Sequence, residues 1–416
     1  MNPKILWADV DAQGRLILPP EIESQYQLKP GARVRVDAEG NKLRLHRPIS
    51  QLNRIYIEPT DQCNIKCLTC IRNSWDETLG RMSGATFERI LDGIAELDAP
   101  PSIMFAGFGE PTFHADIVEM VRATKALGCF VEITTNGTTL TEQRGHALID
   151  AGLDVLWVSL DGATPQSFAD VRLGAELPRV LANLERFTTM RKGGHFPKPE
   201  LGVAFVAMKR NIHELDQVIA IGKRLGATRF SVTNMIPYTP EMQDDVLYER
   251  TFSDITYMAS EWLPKLNLPK MDVRGDARQG FIDALQSGCT VNFAGNRLSG
   301  ANDTCTFIES GALAIGWDGS VSPCPPLLHN QITYLKHRER RLHRHSFGNL
   351  NARSLSDIWN DDAYVAYRER VMGFAFAPCT FCGGCELLDS NETDCLGNPF
   401  PVCGGCLWAQ GLIQCP

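Results

Sequence analysis

The residues best suited to chemistry in this chain are thiols. Cys63, Cys67 and Cys70 stand in a Cys-x3-Cys-x2-Cys array. Three thiolates bind three irons of a four-iron cluster and leave the fourth iron open. An open iron can chelate an amino and a carboxyl group and pass on one electron. A structural cluster would need a fourth cysteine close by, and none follows. The second candidate is Gly107-Phe108-Gly109-Glu110-Pro111. Glycines permit close backbone approach and unusual φ/ψ, and an ionised glutamate only accepts hydrogen bonds, which suits an ammonium group. Asn136 in Thr135-Asn136-Gly137, Ser159 in Ser159-Leu160-Asp161-Gly162, and the later Arg172 are further polar candidates. Asn136 could instead cap a helix, and Asp161 could serve only a turn. The remaining thiols crowd the other end: of 14 cysteines, seven lie in the last 38 residues. Counting Cys289, Cys305 and Cys324 with Cys379, Cys382, Cys385, Cys395, Cys403, Cys406 and Cys415, ten are available. Two four-iron clusters with four cysteines each are therefore feasible, with two to spare. Zinc in the pairs Cys379/Cys382 and Cys403/Cys406 is the alternative. Cys129, alone at a strand start, reads as an ordinary buried thiol.

These residues need a scaffold, and the pattern between them supplies one. Strands are predicted at 55–57, 103–106, 131–134, 155–160, 202–206 and 230–234. Between them, apolar residues recur at helical spacing: Phe87, Ile90 and Ile94; Ile117, Met120 and Val121; Leu215, Val218 and Ile219. Helices are also predicted at 142–151 and 177–191, while His213 reads as a helix-start residue. Six strands in order, joined by helices, predict a parallel sheet with right-handed crossovers. The fold class is therefore α/β, a partial (β/α)6 barrel over 51–236 with its chemistry at the strand C-terminal ends. The motifs fall there: the first cysteines after strand one, Gly107 and Gly109 after strand two, Asn136 after three, Ser159 after four. Residues 1–50 read as a small all-β unit, with hairpins around 11–14 and 38–41, too short to bury a core alone. Residues 237–288 read as a helical linker with a helix near 252–263, and 289–416 as a Cys-rich domain with a hairpin at Asp318-Gly319.

The bulk numbers exclude several classes. A length of 416 residues suggests two or three domains. A net charge of −8 argues against a general nucleic-acid binder. No run approaches the ~20 apolar residues of a membrane span, and the first ten residues lack the features of an export signal. Clustered cysteines without export imply metal ligation in a reducing cytoplasm rather than a disulfide scaffold. The stretch 336–345 holds Lys336, Arg338, Arg340, Arg341 and Arg344 against Glu339 alone. It reads as a solvated loop, or more sharply as a grip on an anionic substrate such as a phosphate.

The cysteine triad after strand one, with the 107–111 and 159–162 motifs, resembles the radical S-adenosylmethionine (SAM) family. The resemblance implies that Cys63, Cys67 and Cys70 hold the cluster that cleaves SAM. It implies that Gly107, Gly109 and Glu110 receive the methionine amino group, and that Ser159 and Arg172 contact the ribose and carboxylate, with Asn136 assisting. Thr69 stands where the family usually has an aromatic residue. Cys305, Gly316-Trp317-Asp318-Gly319, Cys324 before Pro325, Gly348-Asn349-Leu350 and the Cys379–Cys382–Cys385 run resemble the SPASM auxiliary-cluster domain. That pattern implies a nearer cluster on Cys289, Cys305 and Cys324 plus one tail residue, and a farther one on four tail residues. The N-terminal pattern is similar to AbrB/MazE-type swapped hairpins, which implies a homodimer. With 8 Lys and Arg against 6 Asp and Glu in residues 1–50, a docking role is preferred to DNA binding. The ending 401–416 is similar to radical maturases associated with tungsten-containing aldehyde oxidoreductases. The implied function is modification of such an oxidoreductase or its pterin cofactor, with electrons from a ferredoxin or flavodoxin. Modification of a ribosomal precursor peptide is the alternative. A DNA-binding redox sensor is disfavoured, because a sensor needs no SAM site.

Overall fold

The structure is a computed structural model that describes residues 6–26, 28–39, 42–191, 197–249, 290–292, 304–382 and 385–415. The helix expected near 252–263, and Cys289, lie outside the described residues. Six strands form the core: β1 Arg54–Ile57, β2 Ser102–Phe105, β3 Phe130–Thr135, β4 Val155–Ser159, β5 Glu200–Ala207 and β6 Ala227–Asn234. They pair in parallel in strict sequence order, the order of a barrel wound one strand at a time. This is the predicted α/β scaffold. The barrel is left open, because both edges are taken by other strands. Thr290–Asn292 pairs in parallel with β6. Ala312–Ile315 pairs in parallel with β1 and continues through Ser320–Ser322 to Gly348–Asn349. One ten-stranded sheet thus runs from the barrel into the Cys-rich region, and covering both barrel edges leaves no template there for stray pairing.

The crossover helices bury the faces their periodicity predicts. Gly84–Ala95 starts where the Ser83 hydroxyl accepts the Thr86 N–H, and packs Phe87, Ile90 and Ile94 inward. Ile117–Ala126, Glu142–Asp150, Leu177–Met190 and Leu215–Arg224 follow the later strands. A further helix, Pro165–Val171, was missed by periodicity. Its signal is chemical: Thr164 and Ser167 form a reciprocal capping box with Pro165 in the first turn. Its C-cap is Arg172, which with Leu173 pairs antiparallel to Lys66–Cys67. The extra helix therefore aims Arg172 at the cysteine loop.

Residues 6–47 form two hairpins, Asp9–Val10 with Leu16–Ile17 and Val36–Glu39 with Lys42–Leu45, and a helix, Pro20–Gln25, that strand patterning did not anticipate. Trp7 is 84% and Leu43 71% exposed, with Val10 and Val36 also outward. Lys29–Asp98 and Arg33–Glu369 ion pairs tether the unit to the body.

Most of the stretch 336–345 is a hairpin rather than a loop, and several of its arginines are paired within the chain. The hairpin pairs Gln331–Leu335 with Arg338–Leu342. Arg338 pairs with Asp389, Arg341 with Glu339 and Arg344 with Asp318. Strand alternation turns Arg340 inward.

Candidate functional site

At the C-terminal ends of the core strands lies a cavity of about 260 Å³. Cys63, Cys67, Cys70, Gly107, Gly109, Glu110, Asn136, Ser159 and Arg172 all line it, as does Thr69. Residues more than a hundred positions apart thus meet because each ends, or follows, a strand of the same sheet.

The cysteine loop is pinned from several sides. The buried Asp61 carboxylate accepts the Gly80 N–H at 2.7 Å and the Trp317 indole N–H at 2.9 Å. Arg72 donates to the Asp61 carbonyl at 2.6 Å, and the Tyr238 hydroxyl to the Leu68 carbonyl at 2.6 Å. Asn136 Nδ2 donates to Asn64 Oδ1 at 3.0 Å and towards Cys63 Sγ at 3.8 Å. It thereby braces the loop, while the following helix is capped by Thr141 instead.

Glycine is required at both motif positions. A Cβ on Gly109 would lie 2.1 Å from the Thr60 carbonyl oxygen, and Gly107 has φ +133° with Glu58 2.6 Å from where its Cβ would stand. Glu110 is 2% exposed and largely committed to the scaffold. Its Oε1 accepts from Thr112 N and Thr135 Oγ1, and its Oε2 accepts Asn136 N at 2.7 Å. Asp161, read from the sequence as a turn residue, is fully buried and does more. Its Oδ2 lies 2.7 Å from Arg172 Nη2, and its Oδ1 accepts the Val206 N–H. Asn211 closes this arrangement by donating to the Asp161 carbonyl at 3.0 Å. Arg172 in turn directs Nη1 towards Cys67 Sγ at 3.9 Å. His213 is half exposed in a helical turn before Leu215–Arg224, as expected.

His329 was not anticipated, since a lone histidine without periodicity carries no sequence signal. It reaches from the Cys-rich region into the barrel rim. Nε2 lies 2.7 Å from Glu58 and Nδ1 2.9 Å from Glu77, with the ring stacked on Trp75. Burial disfavours its charge, but Glu58 and then Glu77 outweigh burial and raise its pKa to about 9. The other Glu58 oxygen accepts the Phe108 N–H at 2.9 Å, so His329 braces the glycine motif.

The remaining cysteines separate into groups. Cys305, Cys324, Cys403 and Cys406 line a second, mostly apolar cavity. The Tyr367 hydroxyl sits 3.2 Å from Cys403 Sγ. Two tail residues, Cys403 and Cys406, thus share this cavity with Cys305 and Cys324. Cys379 has Cys395 and Cys385 as its sulfur neighbours, and Cys382 closes the same short helix, Cys379–Cys382. Cys415 lines neither the cavity of Cys305 and Cys324 nor that of the cysteine triad. The tail crosses β6, where Asn234 donates to the Leu412 carbonyl and Gln414 N to Thr233, and delivers Cys415 beside Arg54 and Trp408. Cys129 is buried and alone, as read.

The donor sets fit iron–sulfur centres. The twelve cysteines whose side chains are described, all but Cys289 and Cys382, are free of disulfides. Burial pushes Cys67 up to about 11 and Cys305 to about 12, and Cys324 and Cys403 well above the ordinary thiol value. A cationic metal centre is what makes such buried sulfurs anionic near neutrality.

Comparison with known proteins places these features. The family model of the radical SAM superfamily matches residues 57–193, and that of an iron–sulfur cluster-binding domain, SPASM, matches residues 305–386. The tungsten-containing aldehyde ferredoxin oxidoreductase cofactor-modifying protein of Pyrococcus furiosus is 31% identical over 87% of this chain and 96% of its own. Among solved structures, Streptococcus suis SuiB bound to S-adenosylmethionine aligns with a TM-score of 0.54 at 19% identity, over 83% of this chain and 73% of that one. The protein anSMEcpe with bound AdoMet and the Cp18Cys peptide aligns with a TM-score of 0.52 at 18% identity, over 82% and 87%. At these identities the two structures speak for the fold alone.

Proposed function

The chain belongs to the radical SAM superfamily, in the family of the Pyrococcus furiosus cofactor-modifying protein, and from that premise we propose a division of labour among its cysteines. Cys63, Cys67 and Cys70 hold the four-iron cluster of the SAM site. Cys305, Cys324, Cys403 and Cys406 hold one auxiliary cluster, and Cys379, Cys382, Cys385 and Cys395 a second. The observation that carries the first assignment is the single cavity shared by the cysteine triad, the glycine motif, Ser159 and Arg172.

Held by Cys63, Cys67 and Cys70, a four-iron cluster with one open iron would supply the electron for reductive cleavage of SAM to methionine and a hydrogen-abstracting 5′-deoxyadenosyl radical. The chain's own residues do the rest. Gly107 and Gly109 let the backbone approach the methionine amino group, and Glu110 fixes that backbone against β3. Arg172, oriented by Asp161, and Ser159 face the same cavity from β4 and the helix after it. An external one-electron donor of the ferredoxin or flavodoxin kind reduces the protein.

The substrate is a tungsten- or molybdenum-type oxidoreductase or its pterin cofactor. The relative that covers nearly the whole chain supports this reading. The hairpin unit serves docking between two copies, which would cover Trp7, Val10, Val36 and Leu43. The test is to express a partner oxidoreductase with and without this protein. An altered mass of its polypeptide or extracted cofactor, together with higher activity, is expected. Identical mass and activity would refute the substrate assignment, and a mass change on a co-encoded short peptide would replace it with peptide modification.

A further inference from the structure

Arg340 stands between the two auxiliary cysteine groups. It is 1% exposed, among the most buried large side chains of the molecule. Its side chain lines the cavity that holds Cys305, Cys324, Cys403 and Cys406. Its guanidinium lies so near the turn between Cys403 and Cys406 that a Cβ on Gly405 would be 2.6 Å from Nη2. In the other direction Nε donates to the Leu388 carbonyl at 2.8 Å. Leu388 belongs to the turn Glu386–Asp389, whose N-cap is Cys385 of the second group. The thiol charges that bear on Arg340 come from both sides, Cys406 first and then Cys379.

Among the described residues, this cation makes no ion pair with a carboxylate. The nearby Asp389 carboxylate is engaged by both Nε and Nη2 of Arg338. Nη1 of Arg340 has no hydrogen-bond partner among the described residues. A buried charge left uncompensated is destabilising, so the same volume could be filled more cheaply by an apolar side chain. The arrangement makes sense when both cysteine groups carry anionic centres, because one cation then faces two anions. Net charge and hydrogen bonding around the sulfurs set the potential of an iron–sulfur centre.

We propose that Arg340 is a tuning residue shared by the two auxiliary clusters, raising the reduction potential of both. The proposal rests on the reading of the two cysteine groups as cluster sites. Each cluster takes up one electron without making or breaking a bond, and becomes more negative in doing so. A fixed positive charge stabilises that reduced form more than the oxidised one. Because Arg340 faces both centres, removing its charge must shift both.

The experiment is a dithionite redox titration of the anaerobically reconstituted full chain, followed by electron paramagnetic resonance, for wild type, Arg340→Gln and Arg340→Lys. Arg340→Gln is expected to disfavour reduction of each auxiliary cluster at least tenfold, about 59 mV for one electron. Arg340→Lys should stay within threefold of wild type. The SAM-site cluster, whose cavity Arg340 does not line, should shift less. Unchanged auxiliary potentials in a fully loaded Arg340→Gln protein, or a shift of only one cluster, would overturn the proposal. Should Arg340→Gln load less iron, the Lys variant decides: full loading with wild-type potentials supports a requirement for charge, and full loading with lowered potentials overturns it. Wild-type protein without auxiliary iron would sink the cluster assignment itself, and this proposal with it.

Discussion

The cysteine triad of the barrel and the four-cysteine groups of the tail solve opposite problems with the same side chain. The triad sits at the mouth of a cavity of about 260 Å³, flanked by Arg172, Ser159 and the glycine motif. Its loop offers three sulfurs, so a four-iron cluster held there would keep one iron open, in a cavity lined by polar groups able to hold a second molecule. Cys305, Cys324, Cys403 and Cys406 instead surround an apolar cavity with Val402, Leu407 and Trp408. On the proposed assignment, four sulfurs would leave no iron open, and the mostly apolar walls would favour no further ligand. The difference teaches that ligand count and wall chemistry together separate a reactive centre from an electron store. Ile236 lines both cavities, so the two centres share a wall.

The comparison breaks most sharply at the glycine motif. Gly109→Ala would drive a methyl into the Thr60 carbonyl. A displacement of about 1 Å at a site of this kind costs roughly 10²-fold in rate. Formation of 5′-deoxyadenosine should fall by that order, with auxiliary iron unchanged. Loss of auxiliary iron in this variant would show the two regions to be one folding unit rather than two separable sites. Asp161→Ala comes next. It leaves the buried Arg172 without its carboxylate, a change costing about 3–5 kcal/mol. Lower thermal stability and a higher KM for SAM are expected, and an unchanged KM would remove Asp161 from the account.

His329 sharpens the comparison, because it links the tail domain to the glycine motif. Its pKa, ordinarily near 6.5, is raised to about 9 by Glu58 and Glu77 against the effect of burial. A raised histidine pKa means its stabilisation is complete below about pH 6.5 and is lost as pH rises through about 9. The contribution is at most about 3 kcal/mol. Unfolding of wild type and His329→Gln should differ most near pH 6.5 and converge by about pH 9.5. A gap independent of pH would show that His329 acts through packing on Trp75 alone.

How far the sequence carried this reading depends on the range of the interactions. The six strands and five of their helices were legible because periodicity is local: Phe87, Ile90 and Ile94 announce a buried face by spacing alone. The cysteine triad was legible for the same reason. Arg172 could be named but not aimed, because the helix Pro165–Val171 that directs it is too short for periodicity and is marked only by its cap. The grouping of the tail cysteines was illegible, since Cys403 and Cys406 join Cys305 and Cys324 across about a hundred residues of chain. Cys415, one of the ten candidate ligands by count, sits where the tail crosses β6, beside Arg54, a placement that spacing alone does not give. The inward turn of Arg340 follows from strand alternation, but only once 338–342 is known to be a strand.

The smallest effect expected is therefore at Cys415. Cys415→Ser should leave iron near the wild-type level of about 12 per chain, three clusters of four. A loss of about 4 irons would return Cys415 to the ligands.

The central claim is that the reactive centre is the triad and that the tail centres are separate from it. The direct test is to change Cys63, Cys67 and Cys70 together to Ala, reconstitute the chain anaerobically with dithionite, and measure iron and 5′-deoxyadenosine in the same sample. The account predicts no 5′-deoxyadenosine and about 8 irons retained per chain. Product formation at the wild-type level by the triple variant would contradict it.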